Sequence, residues 1–329
     1  MTDLFIQLNK IIEKYDSFIL MGHKNPDLDV LGSCLALYSV IKQKSKDAFI
    51  FIDKDNNDKY NNSIQKALSR INFDYVNENT YNSKIKNTLL IIVDVHQQER
   101  LESSKILDLN LDTVVIDHHI MHKDYIKNTL LLYNDTTLSS VSELLTYYCK
   151  YCDCNPGGLV ATILLGAIEI DTNGYNLKTT SSTYKAASYL MDMGADTIMK
   201  QELLKQSKDD YIRRADYIKN SFMVNDCIAI CILDSVCDKE EIAEIADELL
   251  KFVNVEVSFV IGKLENKNIG ISARSIGHYD VEKIMKQFNG GGHTTNAAAE
   301  VSDKTILEIK NEIIKKVGGV DENNTFTRG

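Results

Sequence analysis

The sequence is poor in the features that mark secreted or membrane-spanning proteins. It has two prolines, no tryptophan and seven cysteines in 329 residues. The odd number of cysteines argues against a complete disulfide framework, and polar residues directly after Met1 argue against a signal peptide. The longest apolar run, residues 159–168, is too short to cross a bilayer. We therefore expect a cytoplasmic chain without a membrane segment, although a longer parent protein could be membrane-anchored.

The charge balance argues against one class of partner. With 47 acidic and 37 basic residues, the formal net charge is −10, which is unfavourable for broad binding to the backbone of duplex nucleic acid. A small nucleotide remains compatible, because a local site that holds metal ions can overcome the overall sign. The hydrophobic content of 44% is typical of a globular protein, and the length fits two domains.

Cys149, Cys152 and Cys154 form a C-x-x-C-x-C pattern that invites a zinc interpretation. No second cysteine pair or nearby histidine completes a tetrahedral ligand set. We therefore expect ordinary reduced thiols near the end of a helix.

Continuous apolar strands alternate with helices in the first half of the chain. The predicted strands cover residues 17–21, 48–52, 89–93 and 113–116. This alternation is typical of an α/β domain whose parallel sheet has helices on both faces. From about residue 226 the pattern changes to that of a smaller, mixed α+β domain.

The predicted boundaries follow from this change of pattern. They are a first domain at 1–190, a helical connector at 191–222, a second domain at 223–318 and a tail at 319–329.

Histidines and aspartates follow several of the predicted strands, and one further aspartate ends a buried helix. Parallel sheets bind ligands beyond the carboxyl ends of their strands, and an acid at the end of a buried helix is costly unless it is paired or bound to a cation. One cleft could therefore collect these side chains. They are His23, Asp27, Asp29, Asp94, His118 and Asp171.

Four carboxylates and two imidazoles are enough for two divalent cations. Manganese suits such a mixture of oxygen and nitrogen ligands. A pair of cations activates water and neutralises charge on a phosphoryl group, so the pattern predicts hydrolysis of a phosphoester or phosphoanhydride.

Several of the residues singled out for function also have simpler structural interpretations. The turn at residues 23–29 could be a polar strand-to-helix connection with Asp29 as N-cap, and residues 140–143 have the form of a capping box. The glycine run at 290–292, followed by His293, could be a flexible turn or an anion-binding backbone. Arg274 could lie on the surface or contact phosphate.

Several motifs together resemble the DHH (Asp-His-His) phosphoesterase superfamily with a DHH-associated C-terminal domain. They are GHKNPDLD at 22–29, IVDVH at 92–96, VIDHH at 115–119, DTN at 171–173 and GGGH at 290–293. Within that superfamily, ISARS at 271–275 and GGGHTTNAA at 290–298 are most similar to the catalytic half of GdpP-type cyclic di-AMP phosphodiesterases.

The resemblance implies a two-manganese site, for which Mg²⁺ or Co²⁺ could substitute. It assigns the predicted ligands to two ions with one bridging aspartate. His23 and Asp27 would bind one ion, Asp29, His118 and Asp171 the other, and Asp94 would bridge them.

The resemblance also implies roles around the metals. Asp117 would orient the histidines, and His119 would contact the scissile phosphate or a leaving oxygen. Arg274 and the run Gly290, Gly291, Gly292 and His293 would hold the distal nucleotide from the smaller domain. The family places the active site in the cleft between the domains and suggests a homodimer.

The expected function is therefore manganese-dependent hydrolysis of cyclic di-AMP to linear 5'-pApA by metal-activated water. One alternative is a nanoRNase and pAp phosphatase that cleaves short linear oligonucleotides, and another is a catalytically silent nucleotide-binding sensor. GdpP-type proteins usually carry transmembrane helices, a PAS domain and a degenerate GGDEF domain before the catalytic half. This chain is accordingly expected to be either an excised piece or a stand-alone enzyme, and the second would favour linear substrates.

Overall fold

A computed structural model of the chain describes residues 1–81, 86–277 and 279–318. It divides into two compact units, Met1–Lys205 and Gln206–Gly329. The predicted tail at 319–329 lies outside the described residues. Within the described part, no helix is both long enough and apolar enough to cross a membrane.

The first unit is built on a six-stranded sheet in which every neighbouring pair is parallel. Its strands are β1 (Ser17–Met21), β2 (Asp47–Phe51), β3 (Tyr75–Val76), β4 (Thr88–Val93), β5 (Asp112–Asp117) and β6 (Leu131–Asn134). They lie in the order β3-β2-β1-β4-β5-β6. The predicted α/β class with a parallel sheet is confirmed, and the four predicted strands are β1, β2, β4 and β5.

Strand β6 was not predicted from the sequence. All four of its residues are only partly buried, and it pairs with β5 at one edge of the sheet. Its sequence does contain a short apolar run at residues 130–133, followed by polar Asn134, so the signal for a strand was present.

Seven α-helices and three 3₁₀ helices complete the described part of the first unit. The α-helices are α1 (Thr2–Glu13), α2 (Leu28–Gln43), α3 (Asn62–Arg70), α4 (Val141–Tyr151), α5 (Gly158–Asp171), α6 (Ser181–Asp192) and α7 (Thr197–Leu203). The 3₁₀ helices are Lys54–Lys59, Gln98–Arg100 and Ser104–Leu109.

The sheet separates two apolar cores, because successive side chains of a strand point to opposite faces. Leu20 and Ile91 belong to the larger core, which the α-helices share. Met21 and Ile92 belong to the smaller core, where residues of loops and short helical segments such as Leu101 cover the sheet. Both faces are therefore dry, as the unbroken apolar strands require.

Two capping predictions are corrected by the structure. Asp27, not Asp29, is the N-cap of α2, since its Oδ1 accepts hydrogen bonds from the amides of Asp29 and Val30 at 2.9 and 3.0 Å. At α4, Ser140 Oγ accepts from the amide of Glu143. The Glu143 carboxylate turns away to accept from the hydroxyls of Ser139 and Thr183, so only half of a capping box forms.

The second unit contains a six-stranded mixed sheet, in the order β11-β12-β10-β9-β8-β7. Its strands are β7 (Phe222–Asn225), β8 (Ile228–Cys237), β9 (Val257–Leu264), β10 (Ile269–Ser275), β11 (Gly291–Gly292) and β12 (Asn296–Val301). Its described helices are α8 (Lys208–Lys219), α9 (Lys239–Leu249), α10 (Val281–Met285), the 3₁₀ helix Lys286–Phe288 and α11 (Ile306–Gly318). Only the β8–β9 pair is parallel. This agrees with the predicted mixed α+β domain.

All seven cysteines are free thiols. Cys149 lies in the last turns of α4, Cys152 caps its C-terminus and Cys154 follows. The potential metal-binding groups in the described part of the chain contain no cysteine. The three cysteines therefore lie at the end of a helix, as predicted.

The glycines before and within β11 differ in the space around them. A Cβ on Gly290 would lie 2.2 Å from the carbonyl oxygen of Ala298, and one on Gly292 would lie 2.3 Å from that of Asn296. Gly292 also has a φ of +150°. A Cβ on Gly291 would meet nothing within 4 Å. The run therefore includes two glycines required by packing against β12 and one whose outer side is open.

Substituting these glycines by alanine should separate the two situations. Gly290→Ala is expected to lower the free energy of unfolding by about 1–3 kcal/mol, because rigid backbone would have to move. Gly291→Ala should leave it unchanged or raise it by up to about 1 kcal/mol. Urea denaturation followed by circular dichroism measures both. Equal losses in the two variants would contradict this account of the run.

Candidate metal centre

The sheet order places a ligand-binding crevice at the carboxyl ends of β1 and β4. Chain connections leave β1 towards β2 on one side, while β4 lies on the other side, and such a reversal of strand order opens a crevice at the strand ends. His23 follows β1, Asp94 directly follows β4, and His118 directly follows β5. The topology thus brings together side chains from distant parts of the sequence.

His23 points its Nε2 atom between two carboxylates. This atom lies 3.6 Å from Asp27 Oδ2 and 3.4 Å from Asp94 Oδ2. Its other ring nitrogen, Nδ1, donates to the carbonyl oxygen of Lys24 at 2.9 Å, which fixes the ring. Burial lowers the pKa of His23, but the hydrogen bonds to Asp27 and Asp94 outweigh it and raise the pKa to about 11. A proton and a divalent cation therefore compete for the same place.

Asp94 lies at the centre of the cluster in an uncommon backbone conformation. Its φ is +60°, in the left-handed region that non-glycine residues seldom adopt. Its amide donates to the carbonyl oxygen of Ile116 at 2.9 Å, which ties the end of β4 to β5. Such strain persists where surrounding structure enforces it, often at functional sites.

His118 faces three aspartates. Its Nε2 lies 3.3 Å from Asp94 Oδ1, 3.8 Å from Asp171 Oδ2 and 3.9 Å from Asp29 Oδ2. Burial lowers the pKa of His118, but its hydrogen bond and charge interaction with Asp94 raise it overall. His118 therefore links the end of α5 to the ends of β4 and β5.

Asp29 is almost fully buried and accepts from the start of a neighbouring helix. Its Oδ2 accepts from the amide of Val141 at 2.9 Å, and its Oδ1 accepts from the amide of Ser142 at 2.7 Å. These are first-turn amides of α4, which otherwise lack partners within the helix and favour negative charge. Asp29 thus joins α2, α4 and the cluster.

The neighbouring acids affect one another strongly. Burial, followed by the negative charge of Asp94, raises the pKa of Asp29 to about 7. Burial, followed by the charge of Asp29, raises the pKa of Asp171 well above its ordinary range. Burial also disfavours charge on Asp94, but hydrogen bonds from His118 and His23 lower its pKa overall.

These side chains fit divalent cations. Asp94 Oδ1 is buried, and its contacts with His118 Nε2 at 3.3 Å and His119 Nδ1 at 3.4 Å are longer than an ordinary hydrogen bond. In the described part of the chain, three groups offer ligand atoms within 4.8 Å of one another. They are His23, Asp27 and Asp94; Asp94, His118 and His119; and Asp29, His118 and Asp171. The groups share members, so all six predicted ligands and His119 form one connected set.

Asp117 and His119 lie beside this set, together with a histidine that the sequence analysis did not single out. Asp117 Oδ1 accepts from His119 Nδ1 at 2.9 Å, and Asp117 Oδ2 is bonded to Nδ1 of His96. Burial raises the pKa of Asp117, but the bonds from His119 and His96 outweigh it and hold the pKa well below its ordinary range. His96 stands in the quoted IVDVH motif, two residues after Asp94, which was the available signal.

Glu169, two residues before Asp171 in α5, is held in an ion pair. Its carboxylate pairs with the ammonium group of Lys200 in α7. It is therefore engaged in an ion pair within the first unit.

The predicted substrate residues of the second unit lie near one another in its sheet. Arg274 in β10 is paired with Asn296 in β12, and the carbonyl oxygen of Asn296 accepts from the amide of His293 at 2.6 Å. Arg274 is not a free surface side chain, because its Nε donates to Asp247 Oδ1 at 2.9 Å and its Nη1 to Ser272 Oγ at 2.7 Å. His293 is exposed.

Comparison with known families matches both halves of the chain. Residues 17–168 match the DHH family, N-terminal domain, and residues 225–319 match the DHHA1 domain. The first match covers the parallel sheet, and the second covers β8 to β12 of the mixed sheet.

Two relatives differ in the share of their own length that this chain covers. The cyclic-di-AMP phosphodiesterase GdpP of Geobacillus thermodenitrificans is 36% identical over 314 residues, which cover 93% of this chain and 48% of that protein. The bifunctional oligoribonuclease and PAP phosphatase NrnA of Mycoplasma genitalium is 25% identical over 316 residues, covering 93% and 95%. The chain thus spans about half the length of GdpP.

Solved structures share the fold. An exopolyphosphatase-related protein from Bacteroides fragilis has a TM-score of 0.77 at 19% identity, with 96% of each chain covered. RecJ from Thermus thermophilus, solved in complex with Mn²⁺, has a TM-score of 0.54 at 10% identity, with 96% of this chain and 54% of that one covered. At these identities the likeness establishes the fold.

The cluster predicts that stabilisation by Mn²⁺ increases with pH. Because the pKa of Asp29 is about 7 in the folded state and about 4 in an unfolded chain, protonation of Asp29 favours the folded state. This contribution to the free energy of unfolding is fully present below about pH 4 and is lost as the pH rises through about 7. Cations need the ionised ligands, so the increase in Tm with MnCl₂ should be larger at pH 8 than at pH 5. At a free Mn²⁺ concentration of 100 times Kd, the gain in the free energy of unfolding should be about 2.7 kcal/mol.

Calorimetry with matched variants tests this prediction. Asp53→Asn removes an acid at the end of β2 that belongs to none of the three ligand groups, and it should retain the effect of Mn²⁺. Asp94→Asn should lose most of it. An undiminished Mn²⁺ response in Asp94→Asn would show that the cations bind elsewhere.

Proposed function

The chain belongs to the DHH family, with a DHH domain followed by a DHHA1 domain, and from this membership we propose that it is a metal-dependent phosphodiesterase that opens cyclic di-AMP to linear pApA. The observation that carries the reaction class is the convergence of six histidine and aspartate ligands at the crevice between β1 and β4. Similarity to GdpP supports the substrate.

We assign the cluster to two manganese ions. His23 and Asp27 would hold one ion, Asp29, His118 and Asp171 the other, and Asp94, which faces both His23 and His118, would be shared. Oxygen and imidazole ligands without thiolate favour manganese or magnesium over softer metals, and RecJ, which shares the fold, was solved with Mn²⁺. When bound, such a pair activates water and neutralises charge on the phosphoryl group.

His119 is the proposed residue that contacts the reacting phosphate. Its Nδ1 donates to Asp117, which leaves Nε2 available to a ligand, and 41% of its side chain is exposed. From that position it can donate a hydrogen bond to a phosphate oxygen or supply a proton to the leaving oxygen. Asp117 is fully buried and acts by orienting this ring.

Arg274 and the glycine run are the proposed contacts for the distal nucleotide. Asp247 and Ser272 restrict the Arg274 guanidinium, and preorganised arginine loses less conformational entropy when it binds phosphate. The open side of Gly291 allows a ligand to approach the backbone closely.

A second candidate is cleavage of short linear oligonucleotides and pAp to mononucleotides. Similarity to NrnA over 93% of the chain supports it. The same ligand cluster serves either reaction, so the two candidates differ in substrate rather than in mechanism.

A turnover assay with Mn²⁺ distinguishes the candidates. Cyclic di-AMP, cyclic di-GMP, pApA and pAp are incubated separately, and the products are identified by chromatography. Accumulation of pApA from cyclic di-AMP supports the first candidate, whereas rapid release of AMP from pApA or pAp supports the second. A protein that binds these nucleotides but hydrolyses none of them would contradict both.

Substitution of the shared ligand should abolish turnover. Asp94→Ala is expected to lower kcat/KM by more than about 100-fold, since loss of a residue that merely supports a ligand already costs about 10–100-fold. Asp53→Asn serves as the control from a neighbouring strand end. Wild-type turnover in Asp94→Ala would refute its assignment as a bridging ligand.

Substitution in the second unit should affect binding instead. Arg274→Lys is expected to raise KM by about tenfold with a smaller change in kcat, because lysine cannot reproduce a bidentate contact. The matched control is Arg213→Lys, in the ion pair with Glu241 on α9, which should leave KM unchanged. A fall in kcat at constant KM would contradict a role of Arg274 in substrate binding.

A further inference from the structure

We propose that His96 is a positioning residue: it holds the Asp117 carboxylate, and through it the His119 ring, in the orientation required for phosphodiester hydrolysis. This inference rests on the proposed function, because the role of His119 belongs to that function. The hydrogen-bond network of His96 is nevertheless visible independently of any reaction.

Both ring nitrogens of His96 are engaged in the interior. The residue is 3% exposed. Nδ1 is bonded to Asp117 Oδ2, and the amide of His122 donates to Nε2 at 2.9 Å. An amide can only donate, so Nε2 carries the lone pair and Nδ1 carries the hydrogen that Asp117 accepts. The network thus fixes a single neutral tautomer of His96.

Asp117 divides its two oxygens between His96 and the segment that follows β5. Oδ1 accepts from the amide of His118 at 2.7 Å, the amide of His119 at 3.1 Å and His119 Nδ1 at 2.9 Å. Oδ2 is bonded to His96 Nδ1. If His96 were removed, Oδ2 would be left buried, which favours rotation of the carboxylate towards other donors. Rotation would disturb the contact that fixes the His119 ring.

The His119 tautomer follows from the same network. Because Asp117 Oδ1 accepts from Nδ1, the hydrogen of neutral His119 lies on that nitrogen, and Nε2 remains for the ligand side. His96 and His119 therefore bind the two oxygens of one carboxylate through equivalent nitrogens. One ring is buried and one reaches solvent.

His96 also anchors the segment that carries His119. Its carbonyl oxygen accepts from the amide of Ile126 at 2.8 Å, and the next residue, Gln97, forms an antiparallel bridge with Tyr125. These backbone contacts hold residues 122–126 against the end of β4. A side-chain substitution at position 96 leaves the backbone contacts possible, so side-chain effects can be tested separately.

The alternative is a purely structural histidine that stabilises this part of the fold. Two substitutions test the donor function of Nδ1 and the acceptor function of Nε2 separately. His96→Asn retains a donor near Nδ1 for Asp117 but loses the acceptor for the His122 amide. His96→Gln retains an acceptor near Nε2 but loses the donor. A structural role predicts activity losses that follow the losses of Tm, whichever half is removed.

The positioning role predicts different kinetics for the two variants. With cyclic di-AMP or pApA as substrate, His96→Gln should lower kcat by about 10–100-fold, the usual effect of removing an outer-shell partner. KM should stay within about threefold of wild type. His96→Asn should retain a kcat at least about tenfold above that of His96→Gln, even if its Tm is no higher. Equal kcat values at equal Tm would overturn the proposal.

A second measurement does not depend on turnover. In ¹⁵N NMR spectra of the Mg²⁺-loaded protein, the wild type should show hydrogen-bonded Nδ1 hydrogens at His96 and His119, beside the one that His23 donates to the carbonyl oxygen of Lys24. In His96→Gln the His119 signal should shift and exchange faster with solvent, whereas in His96→Asn it should be preserved. An unchanged His119 signal in His96→Gln would overturn the proposal. If the wild type hydrolysed none of the dinucleotides, the proposed function would fail, but this spectrum would still decide whether His96 orients His119.

Discussion

Buried negative charge at the carboxyl ends of the strands is the constraint on which the first unit depends. Asp29, Asp94 and Asp117 are each at most 3% exposed, and an isolated buried carboxylate is strongly unfavourable. The fold compensates each one differently: with the first amides of α4, with the facing histidines, and with the His96–His119 pair. The compensation of Asp29 is incomplete, since burial and the negative charge of Asp94 keep its pKa high. The ionised cluster therefore still has an excess of negative charge, which favours the binding of cations.

The strands and the convergence of the candidate ligands could be predicted because they share one physical cause. Parallel strands buried on both faces need continuous apolar runs, so a polar residue that ends such a run marks the sheet edge where ligands bind. Asp94 after β4 and His118 after β5 are examples. Asp171 was predicted for a related reason, since it ends an apolar helix. The half-buried edge strand β6 carries the same signal in a short form, since the apolar run at residues 130–133 ends at Asn134.

Other features depend on partners that are distant in the sequence. Asp29 follows an N-cap by two residues, and only the packing of α2 beside α4 shows that it serves the other helix. Arg274 is paired with Asp247 of α9, a contact set by the second sheet. His96 lies beyond the end of its strand, so its importance appears only when the loop after β5 folds back on it. Periodicity within a segment carries no information about such pairings.

The sheet order also determines when during protein synthesis the cluster can form. β1 pairs with β4 only after β2 and β3 have been made, and the last residue of the cluster, Asp171, arrives with the end of α5. Contacts so far apart in the chain form late in folding. Metal ions, if bound as proposed, would therefore not nucleate this domain in the way that zinc nucleates a small finger. A ribosome-bound chain that stops before α5 already contains the groups that compensate Asp29, Asp94 and Asp117 and lacks only Asp171 of the cluster.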